Sequence, residues 1–518
     1  MIDIAQLLRP AAYDHPVEDV RLIETHISWV FLTGVYAYKI KKPVDFGFLD
    51  FSTLEKRRDY CEQELRLNRR LAPALYVDVV AITERDGQAV FADSVRNDSE
   101  IIEYAVRMCQ FPQSAQLDNM LAAGELDPAR MDAIADMVAR FHREVAVATA
   151  DTRWGSPAQV YAPVEENFRQ IRQRPGAGDH RALLDELEDW SRTNFDRLHA
   201  VFEQRKQHGF IRECHGDMHL RNMLWLDGEP LAFDCIEFNP GLRWIDVLSE
   251  VAFLVMDLQD REQPALAQRY LNHYLENTGD YAGLPVLPFY LVYRAMVRAK
   301  VDAIRAAQQG IDVNEKAGAE REHLSYLRLA HGYTQRAEAR VIITRGLSAS
   351  GKSTVSQQLM AYPGFIRIRS DVERKRLFDI DRHMHAGDGI ESGIYSEDAT
   401  HTTYVRLAEL AAAVLAAGFS VIIDAAFLQA WQRQSFRQLA ADSDVPYIIL
   451  DVFASADSLR ERIRQRSGDV SDADLRVLEH QLENTAPLED SERDHIVPVD
   501  TETKLDINNM YRIISDWK

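Results

Sequence analysis

The chain has 518 residues, with 60 Lys and Arg against 81 Asp and Glu and a formal net charge of −21. That length exceeds one ordinary domain, and that charge excludes broad coating of nucleic acid or of an anionic membrane while leaving room for a local basic cleft. The four cysteines, Cys61, Cys109, Cys214 and Cys235, show no Cys-x-x-Cys spacing, which argues against a zinc site and fits a reducing compartment.

Residues 1 to about 24 read as a short helix and turn. Ile27 to Leu32 and Val35 to Lys41 are β-rich runs around a tight Thr33-Gly34 turn. In the second run Tyr36, Tyr38 and Ile40 share one face, and Ala37, Lys39 and Lys41 the other. Leu54 to Leu71 is a charged helix, and Tyr60, Leu67 and Leu71 put an apolar stripe beside Glu64. Val77 to Ile82 and Ala89 to Phe91 are strands around Arg85-Asp86-Gly87. Ile101 to Met108 follows as a connector, and the chain is then largely helical from about 115 to 335. Neither a membrane-length apolar run nor a basic-then-apolar leader is visible, so a soluble cytoplasmic protein without a membrane partner is expected.

The first informative motif interrupts that helical region: His215-Gly216-Asp217-Met218-His219-Leu220-Arg221-Asn222, then Phe233-Asp234. Asp227-Gly228 is a hairpin signal, and apolar residues flank it on both sides. With Asp227-Gly228-Glu229 as a three-residue loop, Leu226 faces Pro230, Leu224 faces Ala232 and Asn222 faces Asp234. The spacing Asp217-x-x-x-x-Asn222 equals that of the protein-kinase catalytic loop. There one Asp accepts the substrate hydroxyl proton, while an Asn and a second Asp hold magnesium. Asp217 is therefore the candidate base, and Asn222 and Asp234 are the candidate metal ligands. Asp45-Phe46-Gly47 precedes the catalytic loop and so is read as a loop that closes over the nucleotide or shapes the first lobe, not as the metal triplet.

His-Gly-Asp-x-His-x-x-Asn followed by Phe-Asp resembles the aminoglycoside and choline phosphotransferase branch of the kinase-like fold. Asp234-Cys-Ile-Glu237 stands where protein kinases have Asp-Phe-Gly. The resemblance implies an α+β kinase-like domain over 1–335 in which Lys39, with Lys41 as alternative, meets the ATP phosphates. It further implies that Glu64, with Glu62 as alternative, pairs with that lysine, and that the backbone at Glu103 and Ala105–Val106 meets the adenine edge. Asp246, ahead of an apolar helix, combines a helix cap with a brace on the catalytic loop.

A second motif follows. Ala339 to Arg345 is an apolar strand running into Gly346-Leu-Ser348-Ala349-Ser350-Gly351-Lys352-Ser353-Thr354 and a helix through Met360. This is a complete Gly-x-x-x-x-Gly-Lys-Ser in strand–loop–helix context, which cradles phosphates on backbone N–H groups. Lys352 reaches the β/γ-phosphates and Ser353 takes magnesium. Phe365 to Arg369, Ser420 to Asp424 and Tyr447 to Val452 are further strands alternating with helices, so 336–518 is expected to be an α/β P-loop domain with a parallel sheet. Asp371-x-x-Arg374 resembles the element of P-loop kinases such as polynucleotide kinase, zeta-type toxins and chloramphenicol phosphotransferase. That resemblance implies that Asp371 activates the acceptor hydroxyl and Arg374 orients a phosphate or the substrate, and that Asp424 holds magnesium through water, as a Walker-B carboxylate does. Arg462 and Arg466 resemble lid arginines; the same arginine-rich stretch also reads as a solvated helix face. The whole chain resembles the bifunctional aminoglycoside phosphotransferase/ATP-binding proteins of bacteria. This implies ATP and Mg2+ at both sites and hydroxyl acceptors: a small molecule, a sugar, a nucleoside or the 5′-hydroxyl end of a nucleic acid.

Overall fold

In the computed structural model the described residues are 2–45, 47, 49–92, 101–174, 180–308, 310–335, 338–380, 396–465 and 475–517. They divide into two compact units, 1–173 with 199–257, and 174–198 with 258–518.

The first unit opens on an antiparallel sheet. Its strands are β1 (Arg21–Glu24), β2 (Ser28–Leu32), β3 (Tyr36–Lys41), β4 (Tyr76–Arg85), β5 (Gln88–Ala92) and β6 (Ile101–Cys109), in the order β1-β2-β3-β6-β4-β5. The alternation read in β3 holds: Tyr38 and Ile40 join Phe31, Val80, Ile82 and Phe91 in one core, and Ala37 joins Cys61, Leu75, Tyr76 and Val106 in another. The helix Leu54–Asn68 begins where the Thr53 hydroxyl accepts the Lys56 N–H, and it packs against β6 and β4. The connector expected at 101–108 is instead a central strand. Lys39 pairs with Val106 on one side, and Val80 and Ile82 pair with Ala105 and Glu103 on the other. Those backbone groups are taken up by the ladder and are not available to an adenine edge.

The catalytic segment follows as β7 (Ile211–Glu213), β8 (Met223–Leu226), β9 (Glu229–Ala232) and β10 (Trp244–Asp246), with β7 paired to β10 and β8 to β9. The hairpin register differs by one residue from expectation. Leu226 faces Glu229, Leu224 faces Leu231 and Met223 faces Ala232. Asp227 and Gly228 both adopt positive φ, at 52° and 88°, which makes a two-residue turn in place of the three-residue loop. Asn222 therefore lies opposite Phe233, whose N–H donates to its carbonyl at 2.9 Å.

The second unit holds five parallel strands, β11 (Val341–Arg345), β12 (Phe365–Arg369), β13 (Ser420–Asp424), β14 (Tyr447–Phe453) and β15 (Ile496–Asp500), in the order β12-β13-β11-β14-β15. Ile342, Ile422, Ile448 and Leu450 meet Val355 and Leu359 of the helix after the phosphate loop in its core. The strand order puts that loop at the C-terminal end of the middle strand, where open α/β sheets bind ligands. The helix Pro264–Thr278 also belongs to this unit, ahead of residue 336. Asn272 explains why: its amide donates to Phe365 O at 3.0 Å and accepts the Arg367 N–H at 2.7 Å, so a side chain closes the open edge of β12. Among the described residues no helix is long and apolar enough to cross a membrane.

Candidate active sites

In the first unit β3 and the helix Leu54–Asn68 bring Lys39 to Glu64 at 2.8 Å, and Lys39 also binds Asp234. Lys41, on the same face of β3, binds the other Glu64 oxygen at 2.7 Å and also Glu237. Two buried lysines thus share one fully buried glutamate. Glu62 pairs instead with Arg58 on the helix surface. Burial opposes the Lys39 charge, but Asp234, Glu64 and Glu237 outweigh it and raise its pKa well above the usual value. Burial likewise disfavours the Glu64 carboxylate, and the two ammonium groups reverse this, holding it down at about 2. Burial, with the Glu64 charge adding to it, pushes Glu237 up. Lys39 reaches Asp234, whose carboxylate is 47% exposed, whereas Lys41 is 1% exposed. The exposed end of the network is therefore Lys39 with Asp234, and Lys41 with Glu237 forms its buried root.

The catalytic loop is fixed from behind. Glu250 accepts the N–H groups of His215 at 3.1 Å and Gly216 at 2.6 Å, and His142 Nε2 lies 3.0 Å from its Oε1. His215 Nε2 lies 2.9 Å from Phe233 O, which can only accept, so that nitrogen carries the proton and Nδ1 accepts the Asp217 N–H at 3.3 Å. Burial lowers the His215 pKa and keeps the ring neutral for this role. The histidine thus ties the Asp217 loop to the residue preceding Asp234. Gly216 has φ of 90°, and a Cβ there would meet Leu242 O at 2.7 Å. Asn222 Nδ2 donates to Asp217 Oδ2 at 2.9 Å and to Asp217 O at 3.0 Å. Asp246 accepts the Leu248 N–H and binds buried Arg205, and Glu250 braces the loop directly. A carboxylate within the apolar run Val247 to Met256 was the available signal for Glu250. His142, Cys214 and Glu250 place ligand-type atoms within 4.8 Å of one another, but both Glu250 oxygens already accept the loop amides. A carboxylate and an amide carbonyl, Asp234 and Asn222, are donors that suit a hard cation.

In the second unit the phosphate loop joins β11 to the helix Lys352–Leu359, with Ser353 and Thr354 in its first turn. Gly346 lies so close to the sheet that a Cβ would sit 2.2 Å from Val452 O. Ala349 and Gly351 have φ of 63° and 98°. The buried Ser350 hydroxyl has no hydrogen-bond partner among the described residues, as expected of a cradle built for phosphate oxygens. Lys352 Nζ donates to Leu347 O at 2.7 Å, and Gln481 accepts the Ser348 N–H at 2.8 Å. Asp424 ends β13, where the Ser356 hydroxyl donates to it at 3.0 Å. Asp371 and Arg374 occupy the helix Ser370–Leu377 directly after β12, and Arg374 donates to Thr400 Oγ1 at 3.3 Å. Arg462 is anchored on the loop's outside, donating to Ala349 O at 3.2 Å and to Thr501 O at 2.9 Å. Arg466 and the polar loop after it lie outside the described residues.

Residues 48–287 match the phosphotransferase enzyme family, and residues 341–488 match an AAA domain family. An uncharacterised protein of Mycobacterium tuberculosis is 30% identical over 464 residues, covering 90% of this chain and 89% of its own, and a Mycobacterium bovis protein matches to the same extent. Among solved structures, an amicoumacin kinase aligns with a TM-score of 0.40 at 16% identity, over 63% of this chain and 94% of its own. A kinase from Chloroflexus aurantiacus aligns with a TM-score of 0.29 at 23% identity, over 35% of this chain and 100% of its own. The chain belongs to the family of these mycobacterial proteins, and in this chain a phosphotransferase-type kinase-like domain is followed by an AAA-type P-loop domain.

Proposed function

We propose that the protein is a two-site ATP-dependent phosphotransferase of the cytosol, each site moving a phosphoryl group to a hydroxyl acceptor. The observation that supports this reading is that each domain carries, besides its nucleotide-side groups, a further carboxylate that could serve an acceptor. In the first, Lys39 and Asp234 are accompanied by Asp217; in the second, Lys352 and Asp424 are accompanied by Asp371. A nucleotide sensor or a plain ATPase needs no such third group. Magnesium-ATP, when bound, supplies the phosphoryl group and the cation charge. Asp217 takes the acceptor's hydroxyl proton as that oxygen bonds phosphorus and the bond to the ADP oxygen breaks. Asn222 holds Asp217 in place through its amide N–H, and Asn222 and Asp234 are the residues that would hold the magnesium ion. At the second site Asp371 takes the proton, Arg374 orients the acceptor, Ser353 and Asp424 hold the metal, and Lys352 meets the phosphates. The four cysteines form no disulfide, which fits a reducing compartment. The alternative is that one domain regulates the other by binding ATP.

The test is transfer of labelled γ-phosphate to a panel of sugars, aminoglycosides, nucleosides and RNA 5′-hydroxyl ends. Asp217→Ala should reduce transfer to one acceptor by roughly 10²–10⁴-fold, and Asp371→Asn should do the same for another. If both variants turn over every acceptor at the parent rate, the reading fails.

A further inference from the structure

The second site is completed by a residue that lies in the phosphotransferase-family match. Glu276 sits in the last turn of the helix Pro264–Thr278, within the 48–287 match, yet its carboxylate faces β12. Its Oε2 lies 3.2 Å from Arg367 Nη2, and its Oε1 lies 3.1 Å from Arg369 Nη1. Glu276 is 4% exposed. The Arg369 side chain leans the other way too: its Nε is 3.9 Å from Asp424 Oδ2, beyond a hydrogen bond. Burial works against the Arg369 charge, and Glu276, Asp424 and Asp371 together outweigh it. One guanidinium therefore stands between the Glu276 carboxylate of the helix and the Asp424 carboxylate of the site.

We propose that Glu276 is a positioning residue for the P-loop site: by holding Arg369 back from Asp424, it leaves that carboxylate available to magnesium. The inference rests on reading the second site as a magnesium-nucleotide site. Arginine and a divalent cation compete for the same oxygen, and a bidentate-capable guanidinium less than one ångström from hydrogen-bond range is an effective competitor. Neutralising Glu276 removes the opposing pull, and Arg369 closes on Asp424. The buried Asn272 contacts to β12 keep the helix in place when only this charge is changed.

The test is calorimetric ADP binding to the full chain at increasing Mg2+, in a Lys39→Ala background that silences the first site. Glu276→Gln should raise the Mg2+ midpoint for tightened ADP binding about tenfold, the effect of one charge-assisted hydrogen bond competing with the metal. ADP affinity in EDTA should stay within about twofold, since Asp424 serves the metal and not the nucleotide. Adding Arg369→Gln to Glu276→Gln should return the midpoint toward the parent value, a reversal that a merely structural brace would not give. ADP binding with an unchanged Mg2+ midpoint in Glu276→Gln overturns the inference alone. Absence of ADP binding in the Lys39→Ala parent overturns the two-site reading, and the inference with it.

Discussion

Replacing Glu250 by Gln should unsettle the first site without touching a group that meets substrate. Glu250 is fully buried and holds the His215 and Gly216 amides. Burial alone would raise its pKa; the bond and charge of His142 and the Gly216 N–H bring it down from 4.5 to about 2. At 1.36 kcal/mol per pKa unit, that drop corresponds to about 3 kcal/mol of stabilisation of the charged form. Gln keeps the shape but has one acceptor oxygen, so one loop amide faces an N–H. For a unit of this size the loss should lower the unfolding temperature by roughly 6–12 °C. The sign with pH follows from the depressed folded pKa. The Glu250 contribution is present above 4.5, the unfolded value, and fades as pH falls toward 2. Thermal unfolding of parent and variant between pH 7 and 3, with transfer to the first-site acceptor in parallel, measures both effects. A variant within about 1 kcal/mol of the parent at pH 7 and equally active would refute the brace.

Lys41→Met should leave Glu64 and Glu237 buried without their shared cation and cost about 3–5 kcal/mol, more than the loss of Lys39, whose partner Asp234 is half-exposed; denaturant unfolding of the two variants compares them. Asn222→Ala and Asp234→Ala should each raise the magnesium concentration needed for first-site transfer; magnesium titrations that overlay the parent curve would remove both from the metal site. Gly346→Ala should abolish nucleotide binding at the second site, because its methyl would meet Val452 O at 2.2 Å and displace the phosphate loop. Equilibrium dialysis of ADP against this variant checks it.

The sequence shows the sites more clearly than it shows their supports. The motif at 215–222 and the loop at 346–354 carry their own backbone geometry, so both stand where the sequence puts them. Lys39 and Lys41 could not be separated, because a two-residue period puts both on one face and only the three-dimensional network shows which is buried. The hairpin slipped by one because Asp227 adopts positive φ, which Asp permits but does not require. β15 was missed because Pro498 interrupts a short apolar run; it is an edge strand, where proline is tolerated. Glu276 and Arg369 are separated by 93 positions, and no local pattern pairs them. Glu250 and Ser356 likewise act across long sequence separations, as 34 and 68 positions lie between them and their partners Gly216 and Asp424.

The most direct measurement of the central claim is the stoichiometry of ATP-analogue binding by calorimetry. The account predicts two sites in the parent, one in Lys352→Ala, and retained Asp217-dependent transfer in that variant. A parent that binds a single nucleotide would contradict it.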